Sequence, residues 1–227
     1  MKHSILSLEF GKKVYDYFGQ HSEFYRVIRW ISCLGREKTL QKLTIRALEL
    51  QEGDTVLDLG CGNGVNLAIL HKAIGATGKI FALDYSEGML EFAKSHAQKH
   101  GWKNIEFIQA DAAEIEFPGN SLDGVVCAFA LSAMPREDAV IRRVADALKP
   151  GRKFVVFDAK LFTGFGKVLN LIACPVFKYI TNWNYQKDVI GILRQLFTNT
   201  VVTEFNSGCN YIAVAVKENE FLPTKGN

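Results

Sequence analysis

The sequence predicts an α/β fold with a Rossmann-like, doubly wound sheet of seven strands, mostly parallel, ending in an antiparallel strand from a C-terminal hairpin. From residue 54 onward, short β-rich runs alternate with helical stretches, which is typical of a parallel sheet covered by helices on both faces. Near the end, two apolar runs flank the turn residues 206–210, which favours a hairpin. The length of 227 residues is enough for one such domain with a full hydrophobic core.

The N-terminal part has a helical pattern. Apolar residues recur at helical spacing between about residues 9 and 50, so two or three helices are expected before the first strand. We interpret residues 1–50 as a helical leader that acts as a lid on the core formed by residues 51–217. A lid insertion is expected at about 161–196, and residues 218–227 form a polar tail of the single domain 1–227.

The strands follow from β-rich runs bounded by turn residues. Gly53 introduces the first strand, and the Pro150-Gly151 turn separates a helix from the fifth. The predicted strands are 55–59, 79–83, 105–108, 124–128, 154–157, 200–205 and 211–216.

Composition and charge exclude several classes of protein. Lysine and arginine number 27 and aspartate and glutamate 24, a net charge of +3, so no nucleic-acid partner is expected. The five cysteines form no Cys-x-x-Cys pair, and we expect no metal site. Residues 1–9 do not resemble a signal peptide, which favours a cytoplasmic protein.

A glycine-rich turn follows the first strand. The strand ends at Asp58-Leu59 and continues as Gly60-Cys61-Gly62-Asn63-Gly64 into an apolar helix. Glycines at this point let the backbone bend sharply and approach a ligand closely, which is typical of nucleotide binding. Taken alone, the glycines are also compatible with a tight turn that binds nothing.

Two acidic residues make the turn more informative. Asp84 ends the second strand 20 residues after Gly64, where a carboxylate can accept both ribose hydroxyls of an adenosyl ligand or of NAD. Asp58 would repel a pyrophosphate but attract the sulfonium and ammonium groups of S-adenosylmethionine (SAM). The Gly-x-Gly-x-Gly spacing also differs from the dinucleotide pattern, so we favour SAM as cofactor, with S-adenosylhomocysteine (SAH) as its product.

A third acidic position follows the third strand. The side chain of Asp111, in Asp111-Ala112, could accept the adenine amino group, or it could cap a turn. Because ligands of such sheets bind at the carboxyl ends of the strands, Asp58, Asp84 and Asp111 are expected to share one site.

These residues carry a family resemblance. Residues 56–64 resemble motif I of class I SAM-dependent methyltransferases, and the similarity extends through 83–90, 110–112 and 148–152 to cover about 50–217. The resemblance implies that the glycines line the methionine part of SAM, and that Asp58 faces its amino group and Asp84 its ribose. It further implies that the following residues contact the adenine or lie beside the transferred methyl: Tyr85, Met89, Asp111, Ala112 and Ala128.

The leader adds a second resemblance. Residues 14–18 and 34–36 are similar to the small-molecule methyltransferases of ubiquinone and menaquinone biosynthesis and to bacterial phosphatidylethanolamine N-methyltransferases. It places Tyr15 near the carboxylate of SAM, although an aromatic helix face is also typical of a core. The C-terminal signature of the quinone enzymes is absent from the sequence, as is the Asn/Asp-Pro-Pro motif of DNA amino methyltransferases.

Methyl transfer can work by positioning alone, so the sequence identifies no catalytic base. His21, near the lid, and Ser132, after the fourth strand, are the candidates closest to the acceptor.

The segment 161–180 bears on the acceptor. It is apolar, but Lys167, Pro175 and Lys178 interrupt it too often for a membrane span. It could line an apolar pocket, lie on a membrane surface, or pack as an ordinary lid helix. We therefore expect a small hydrophobic acceptor, either a lipid head group or a prenylated ring, with possible peripheral membrane contact.

Other functions stay open at this point. They are a methyltransferase for a polar metabolite amine, a SAM-binding protein without catalysis and, remotely, an NAD(P)-dependent oxidoreductase. The sequence carries no signal for an oligomeric state.

Overall fold

A computed structural model describes residues 2–219, with the backbone alone for residues 2–8 and Ser22. Three helices precede the first strand: α1 (Lys2–Gln20), α2 (Ser22–Ser32) and α3 (Glu37–Ala47). The core then runs through β1 (Thr55–Leu59), α4 (Leu67–Ile74), β2 (Lys79–Asp84), α5 (Glu87–Lys99), β3 (Ile105–Gln109), β4 (Leu122–Ala128), α6 (Glu137–Ala147) and β5 (Leu148–Ala159). It ends with α7 (Asn170–Thr181), α8 (Val189–Leu196), β6 (Asn199–Phe205) and β7 (Asn210–Val216).

The seven strands form one sheet in the order β3-β2-β1-β4-β5-β7-β6. Strands β1 to β5 pair in parallel, whereas β7 pairs antiparallel with both β5 and β6. Six strands therefore share one direction and β7 opposes them. This confirms the predicted fold class, including the C-terminal hairpin.

Strand β5 begins earlier than the sequence suggested. Leu148 pairs with Leu122, the register then shifts, and Lys153 pairs with Gly124. Gly151, with φ of 74°, lies in this irregularity, so the Pro-Gly turn interrupts the start of the strand instead of preceding it.

The sheet is buried on both faces because neighbouring residues of each strand enter different clusters. In β1, Leu57 faces α6 and α8, whereas Val56 faces α3, α4 and α5. The continuous apolar runs that predicted the strands are what a parallel sheet covered on both sides requires. The strand ends that carry Asp58 and Asp84 are held by this core.

The predicted leader divides into two parts. Leu40 and Ile45 of α3 are buried with the sheet. The helices α1 and α2 instead join α5 through a separate cluster that comprises Phe18, Tyr25, Ile28 and Met89. We call α1 and α2 the leader from here on.

The leader approaches the core very closely at one point. A Cβ atom at Gly19 would lie 2.4 Å from the carbonyl carbon of Gly88 in α5. The Ser86 hydroxyl, which accepts a hydrogen bond from the Met89 amide at the start of α5, donates to Asp16 at 2.6 Å. The N-terminus of α5 thus packs directly on α1.

The predicted insertion also has two parts. Leu193 of α8 is fully buried against the sheet, whereas α7 and the preceding 3-10 helix (Gly164–Leu169) have no buried residues. Within residues 2–219, none of the helices is both long and apolar enough to cross a membrane. The predicted tail lies outside the described residues from position 220 on.

Candidate functional site

The glycine turn lies at the carboxyl end of β1 and bends through left-handed backbone. Gly60, Gly62 and Gly64 have φ of 67°, 54° and 79°. A Cβ at Gly60 would lie 2.4 Å from the Cβ of Ala130, and one at Gly64 would lie 3.0 Å from that of Ala93. A Cβ at Gly62 would meet nothing within 4 Å. Gly60 and Gly64 therefore allow close packing, and Gly62 faces open space.

Asp84 connects the turn to the end of β2. One carboxylate oxygen accepts the Gly62 amide at 2.7 Å and the other accepts the Ser86 amide at 2.9 Å. Burial raises the pKa of Asp84, and these amide hydrogen bonds oppose the rise. Each oxygen retains a lone pair, so the clamped carboxylate can still accept two hydroxyl groups.

Asp58 is completely buried beneath the turn. Its Oδ1 accepts the Asn66 side-chain amide at 2.9 Å, and Gln41 in turn donates to Asn66 at 3.0 Å. Among the described residues, Oδ2 of Asp58 and Oδ1 of Asn63 are buried with no hydrogen-bond partner. Burial raises the pKa of Asp58 to about 7, while the Asn66 hydrogen bond lowers it and Asp84 adds to the rise.

Three cavities lie in this region, and the first and third border the turn. The first has an empty volume of about 760 Å³, including its open mouth, and runs along the turn and the ends of β2 and β3. Its walls include most of the predicted cofactor contacts: Tyr15, Gly60, Gly62, Asp84, Tyr85, Asp111, Ala112 and Ala128. The third, of about 430 Å³, lies on the other side of the turn and includes Cys61 and Asn63.

The second cavity is larger and mostly apolar. It has an empty volume of about 1280 Å³ and lies between the leader, the end of β5 and α7. Tyr25 and Phe129 line all three cavities. The cavities along the glycine turn and the apolar second cavity therefore meet at the rings of Tyr25 and Phe129.

Phe129 is strained at this junction. It adopts φ of 55°, which is rare for a bulky residue. Its amide donates to the Phe157 carbonyl at 2.7 Å, and its ring packs edge-on against that of Phe157 at 4.5 Å. Strained backbone of this kind concentrates at functional sites.

The polar end of the second cavity is formed by Ser132 and Asp158. The Ser132 hydroxyl and amide donate to the two oxygens of Asp158 at 2.8 and 2.9 Å, and the Ala159 amide donates a third hydrogen bond at 2.8 Å. Burial raises the pKa of Asp158, partly offset by these hydrogen bonds. The pair places a carboxylate inside a mostly apolar cavity, which Arg29 and Lys160 also line.

Asp111 caps a turn, which is one of the two roles considered from the sequence, and the adenine contact stays a prediction. It lines the first cavity, yet one oxygen caps the Ala113 amide at 2.9 Å and the other pairs with Arg136 at 2.6 Å. Ala112 is buried beside it, and Tyr85 is 38% exposed at the rim.

Two predicted residues lie away from the cavities, and a third lines them but uses its hydroxyl in another hydrogen bond. Met89 is fully buried in the leader cluster. His21 is exposed and stacks on Tyr17 at 4.1 Å, so in the part of the chain that is described it reaches none of the three cavities. Tyr15 lines the first two cavities, but its hydroxyl donates to the Thr181 carbonyl at 3.0 Å.

Sequence reasoning missed Tyr25, Phe129 and Asp158 as individual site residues. Asp158 ends a strand of the sheet, the same position that identified Asp58 and Asp84. That signal was available in the sequence. The two aromatic residues carry no local pattern that separates a cavity wall from a core.

The geometry fits SAM better than a dinucleotide. The two unpartnered oxygens of Asp58 and Asn63 suit an ammonium group, and the clamped Asp84 suits a ribose. A pyrophosphate next to the buried Asp58 would meet a carboxylate instead of a donor. The fold and the site together define a class I SAM-dependent methyltransferase.

Comparison with known proteins agrees. Residues 50–207 match the model of a methyltransferase-domain family, and the chain belongs to this family. It is 31% identical over 169 residues to a demethylmenaquinone methyltransferase of Bacillus cereus, covering 74% of this chain and 70% of that protein. A Bacillus anthracis demethylmenaquinone methyltransferase is 30% identical over 169 residues, again covering 74% of this chain and 70% of that protein.

Solved structures share the fold. A SAM-dependent methyltransferase from Aquifex aeolicus has a TM-score of 0.57 at 23% identity, covering 77% of this chain and 88% of that one. A Haemonchus contortus phosphoethanolamine N-methyltransferase was solved in complex with phosphomonomethylethanolamine and SAH. It has a TM-score of 0.67 at 16% identity, and the match covers 80% of this chain and 53% of that one. The chain is thus a SAM-dependent methyltransferase, and the oxidoreductase alternative is wrong.

Proposed function

We propose that this enzyme transfers the methyl group of SAM to a small hydrophobic acceptor that occupies the second cavity. The observation that carries the proposal is the position of this apolar cavity, which meets the first one at Tyr25 and Phe129. A polar amine would find few partners along its walls, whereas a prenylated ring or a lipid chain would bury apolar surface there. The Bacillus relatives, named for demethylmenaquinone, support an acceptor of the prenylated-ring type.

In this proposal residues of the first and third cavities would hold the cofactor. Asp84 would accept the ribose hydroxyls, Asp58 and Asn63 would face the ammonium group, and the backbone at Gly62 would contact the methionine part. Asp111, Ala112 and Tyr85 would border the adenine. The cofactor would supply an electrophilic methyl group on sulfur when bound.

Asp158 then serves as the acceptor-side base. A neutral carbon or oxygen acceptor would have to release a proton when it gains the methyl group, because it would otherwise carry a positive charge. One lone pair of Asp158 Oδ2 stays free after the three hydrogen bonds, and it can take that proton. The apolar walls exclude water that would otherwise compete.

The rim of the second cavity favours loading from a membrane surface. Its residues Ile31, Leu169 and Ile172 are 49%, 52% and 70% exposed, and the neighbouring Phe165 and Leu171 are more exposed still. Residues 159–187 contain four lysines and no acidic residue. Lys160 and Lys187 pair with glutamates elsewhere in the chain, whereas Lys167 and Lys178 are exposed and suit an anionic lipid surface. An apolar patch rimmed by positive charge is typical of interfacial binding.

An assay with methyl-labelled SAM tests the acceptor class. We expect labelled product from an organic extract of membranes, and label transfer to a demethylated quinone that increases with the length of its apolar chain. The proposal fails if the extract gives no product while a polar amine fraction is methylated. The control is Asp58→Asn, which should lower labelling of every acceptor alike because it acts on the cofactor.

A further inference from the structure

The hydroxyl of Tyr25 has no role in the site described so far. Tyr25 lies in α2, is 9% exposed and lines all three cavities. Its ring is held on several sides, because it stacks on Phe18 at 4.9 Å and meets the ring of Tyr15 edge to face at 6.3 Å. The guanidinium of Arg29 lies 5.0 Å from its centroid. A ring packed in this way holds its hydroxyl in a fixed direction.

That hydroxyl has no hydrogen-bond partner among the residues that the structure describes. Buried tyrosine hydroxyls usually have one, because an unpaired polar group loses its hydration without compensation. Burial raises the pKa of Tyr25, Arg29 opposes the rise, and the carboxylates of Asp84 and Asp158 add to it. The hydroxyl therefore stays protonated at neutral pH and is available as a hydrogen-bond donor.

The other neutral hydroxyl and indole donors on the wall of the second cavity are bonded within the chain. Ser132 donates to Asp158. The remaining donors bond to main-chain carbonyls: Tyr15 to Thr181, Ser32 to Ile28, Thr181 to Phe177 and Trp183 to Ala159. Among the described residues of this wall, Tyr25 is thus the neutral hydroxyl that a ligand can use.

We infer that the Tyr25 hydroxyl donates a hydrogen bond to an oxygen of the acceptor ring and thereby selects the ring carbon that receives the methyl group. The second cavity offers this donor on the leader and a free lone pair of Asp158 on the core. A ring with two oxygens satisfies both groups, and two polar contacts fix the rotation of a planar ring. The inference rests on the proposed function, because it needs the acceptor to occupy the second cavity.

Tyr25→Phe tests the contact, since it keeps the packed ring and removes only the hydroxyl. With a prenylated hydroquinone we expect kcat/KM to fall about 5- to 10-fold, mostly through KM, because a neutral hydrogen bond is present before and during transfer. The wild type should methylate one ring carbon, and the variant should give a mixture of ring-methylated products. Tyr17→Phe is the matched control, because Tyr17 is 51% exposed on α1 and its hydroxyl faces none of the three cavities.

Two matched phenols, each lacking one of the two ring oxygens, identify the bonded atom. Their affinity is measured as inhibition of hydroquinone methylation, so that they need not react. Loss of the bonded oxygen should weaken binding to the wild type and leave Tyr25→Phe unaffected, because the variant no longer makes this hydrogen bond. The other phenol should still bind the wild type more tightly than the variant.

Three results would overturn the inference. They are equal kcat/KM for wild type and variant with the hydroquinone, an equal loss of affinity for both phenols, and a weakened SAH affinity in Tyr25→Phe. The second would make the role structural, and the third would assign the hydroxyl to the cofactor. If the wild type methylated a polar amine and no hydroquinone, the proposed function would fall, and this inference with it.

Thermal unfolding shows whether the hydroxyl is used in the folded chain itself. Because it bonds to none of the described residues, Tyr25→Phe should leave the Tm of the ligand-free protein unchanged or raise it slightly. A Tm lower by several degrees would mean that the hydroxyl has a partner inside the protein, which would contradict the inference.

Discussion

At the residue scale, Asp58 carries an electrostatic cost that the proposed ligand would remove. A carboxylate buried with one unpartnered oxygen is disfavoured in its ionised form, which is why its pKa rises to about 7. An ammonium group at this oxygen would favour ionisation. On the proposed cofactor position, binding of the cofactor and ionisation of Asp58 would therefore be linked.

The first prediction follows from this linkage. Below a pH of about 7 the carboxyl must lose its proton on binding, so SAH affinity should rise roughly 10- to 30-fold between about pH 5.5 and pH 8 and then level off. Calorimetry across this range measures it. Asp84, whose pKa is also raised, contributes in the same direction. Asp58→Asn should bind more weakly and lose most of the pH dependence, and an unchanged profile in this variant would contradict the assignment.

Asp58 should also affect the folding stability of the ligand-free protein, which should change with pH in the direction opposite to SAH affinity. Because the folded-state pKa of Asp58 lies above the ordinary value of 3.8, the folded protein binds more protons than the unfolded chain between the two values. The stability of the ligand-free protein should fall as the pH rises through this window, and Asp58→Asn should raise Tm at pH 8. Thermal unfolding without ligand measures both, and a lower Tm in the variant would oppose this account.

Asp158, the proposed base beside the acceptor, gives a prediction about the rate of methyl transfer. With a protic acceptor, Asp158→Asn should lower kcat/KM about 100-fold, the usual size of a general-base contribution, and leave SAH affinity unchanged. Ser132→Ala, which removes one of its three hydrogen bonds, should cause a smaller loss. If SAH affinity fell in step with activity, Asp158 would be only an anchor of the loop at Ser132.

At the scale of secondary-structure elements, the close contact between α1 and α5 joins the leader to the core. An alanine in a helix interior is ordinarily more stable than glycine by about 1 kcal/mol. At Gly19 its Cβ would meet the backbone of α5 at 2.4 Å, which a side-chain rotation cannot relieve. The clash should exceed the gain in helix propensity.

We therefore expect Gly19→Ala to loosen the leader by about 1 to 3 kcal/mol. Limited proteolysis should cleave within α1 and α2 faster than in the wild type, and SAH affinity should fall with it. Gln20→Ala, an exposed change in the same helix, is the control. Gly88→Ala places a Cβ 3.2 Å from the Asp16 carbonyl oxygen and should have a milder effect. Equal cleavage of Gly19→Ala and Gln20→Ala would contradict the predicted role of this contact.

The elements also show what the sequence could predict. The strands and the hairpin follow from local apolar runs and turn residues, so their predicted bounds were close to those observed, except that β5 begins at Leu148 instead of residue 154. The division of residues 1–50 depends on which helix packs on the sheet, as does the split between α7 and α8. Hydrophobic periodicity alone does not encode the packing partner.

In the candidate site, too, the residues of a local sequence pattern were predicted, whereas those whose position depends on packing between helices were not. Asp58, the glycines and Asp84 belong to one local strand-turn pattern; Gly60, Gly62 and Asp84 line the first cavity, and Asp58 is buried beneath the turn. Met89 lies one helical turn into α5, and its direction depends on where α1 packs. His21 was selected for its nearness to the lid in sequence, and the stacking on Tyr17 turns it to the surface.

At the scale of the whole molecule, the exposed apolar patch around α7 is continuous with the second cavity. We expect binding to anionic phospholipid vesicles in sedimentation, weakened roughly tenfold by Leu171→Glu because it removes apolar contact and adds like charge. Val201→Glu, at a 58% exposed valine of β6, is the matched control. Equal binding by both variants would mean that another surface contacts the vesicle.

The two cavities and the rings between them form one reaction chamber in this account. The core supplies Asp58, Asp84 and Asp158 from the ends of three strands, and the leader and α7 close the chamber from outside. The first and second cavities, which we propose for the cofactor and the acceptor, meet at Tyr25 and Phe129.

A crystal structure with SAH and a demethylated, prenylated quinone tests this claim most directly. The account predicts SAH along the glycine turn with its ribose on Asp84, and the quinone ring beside Asp158 with its chain running toward α7. SAH in this place with the ring bound outside the second cavity would contradict the account.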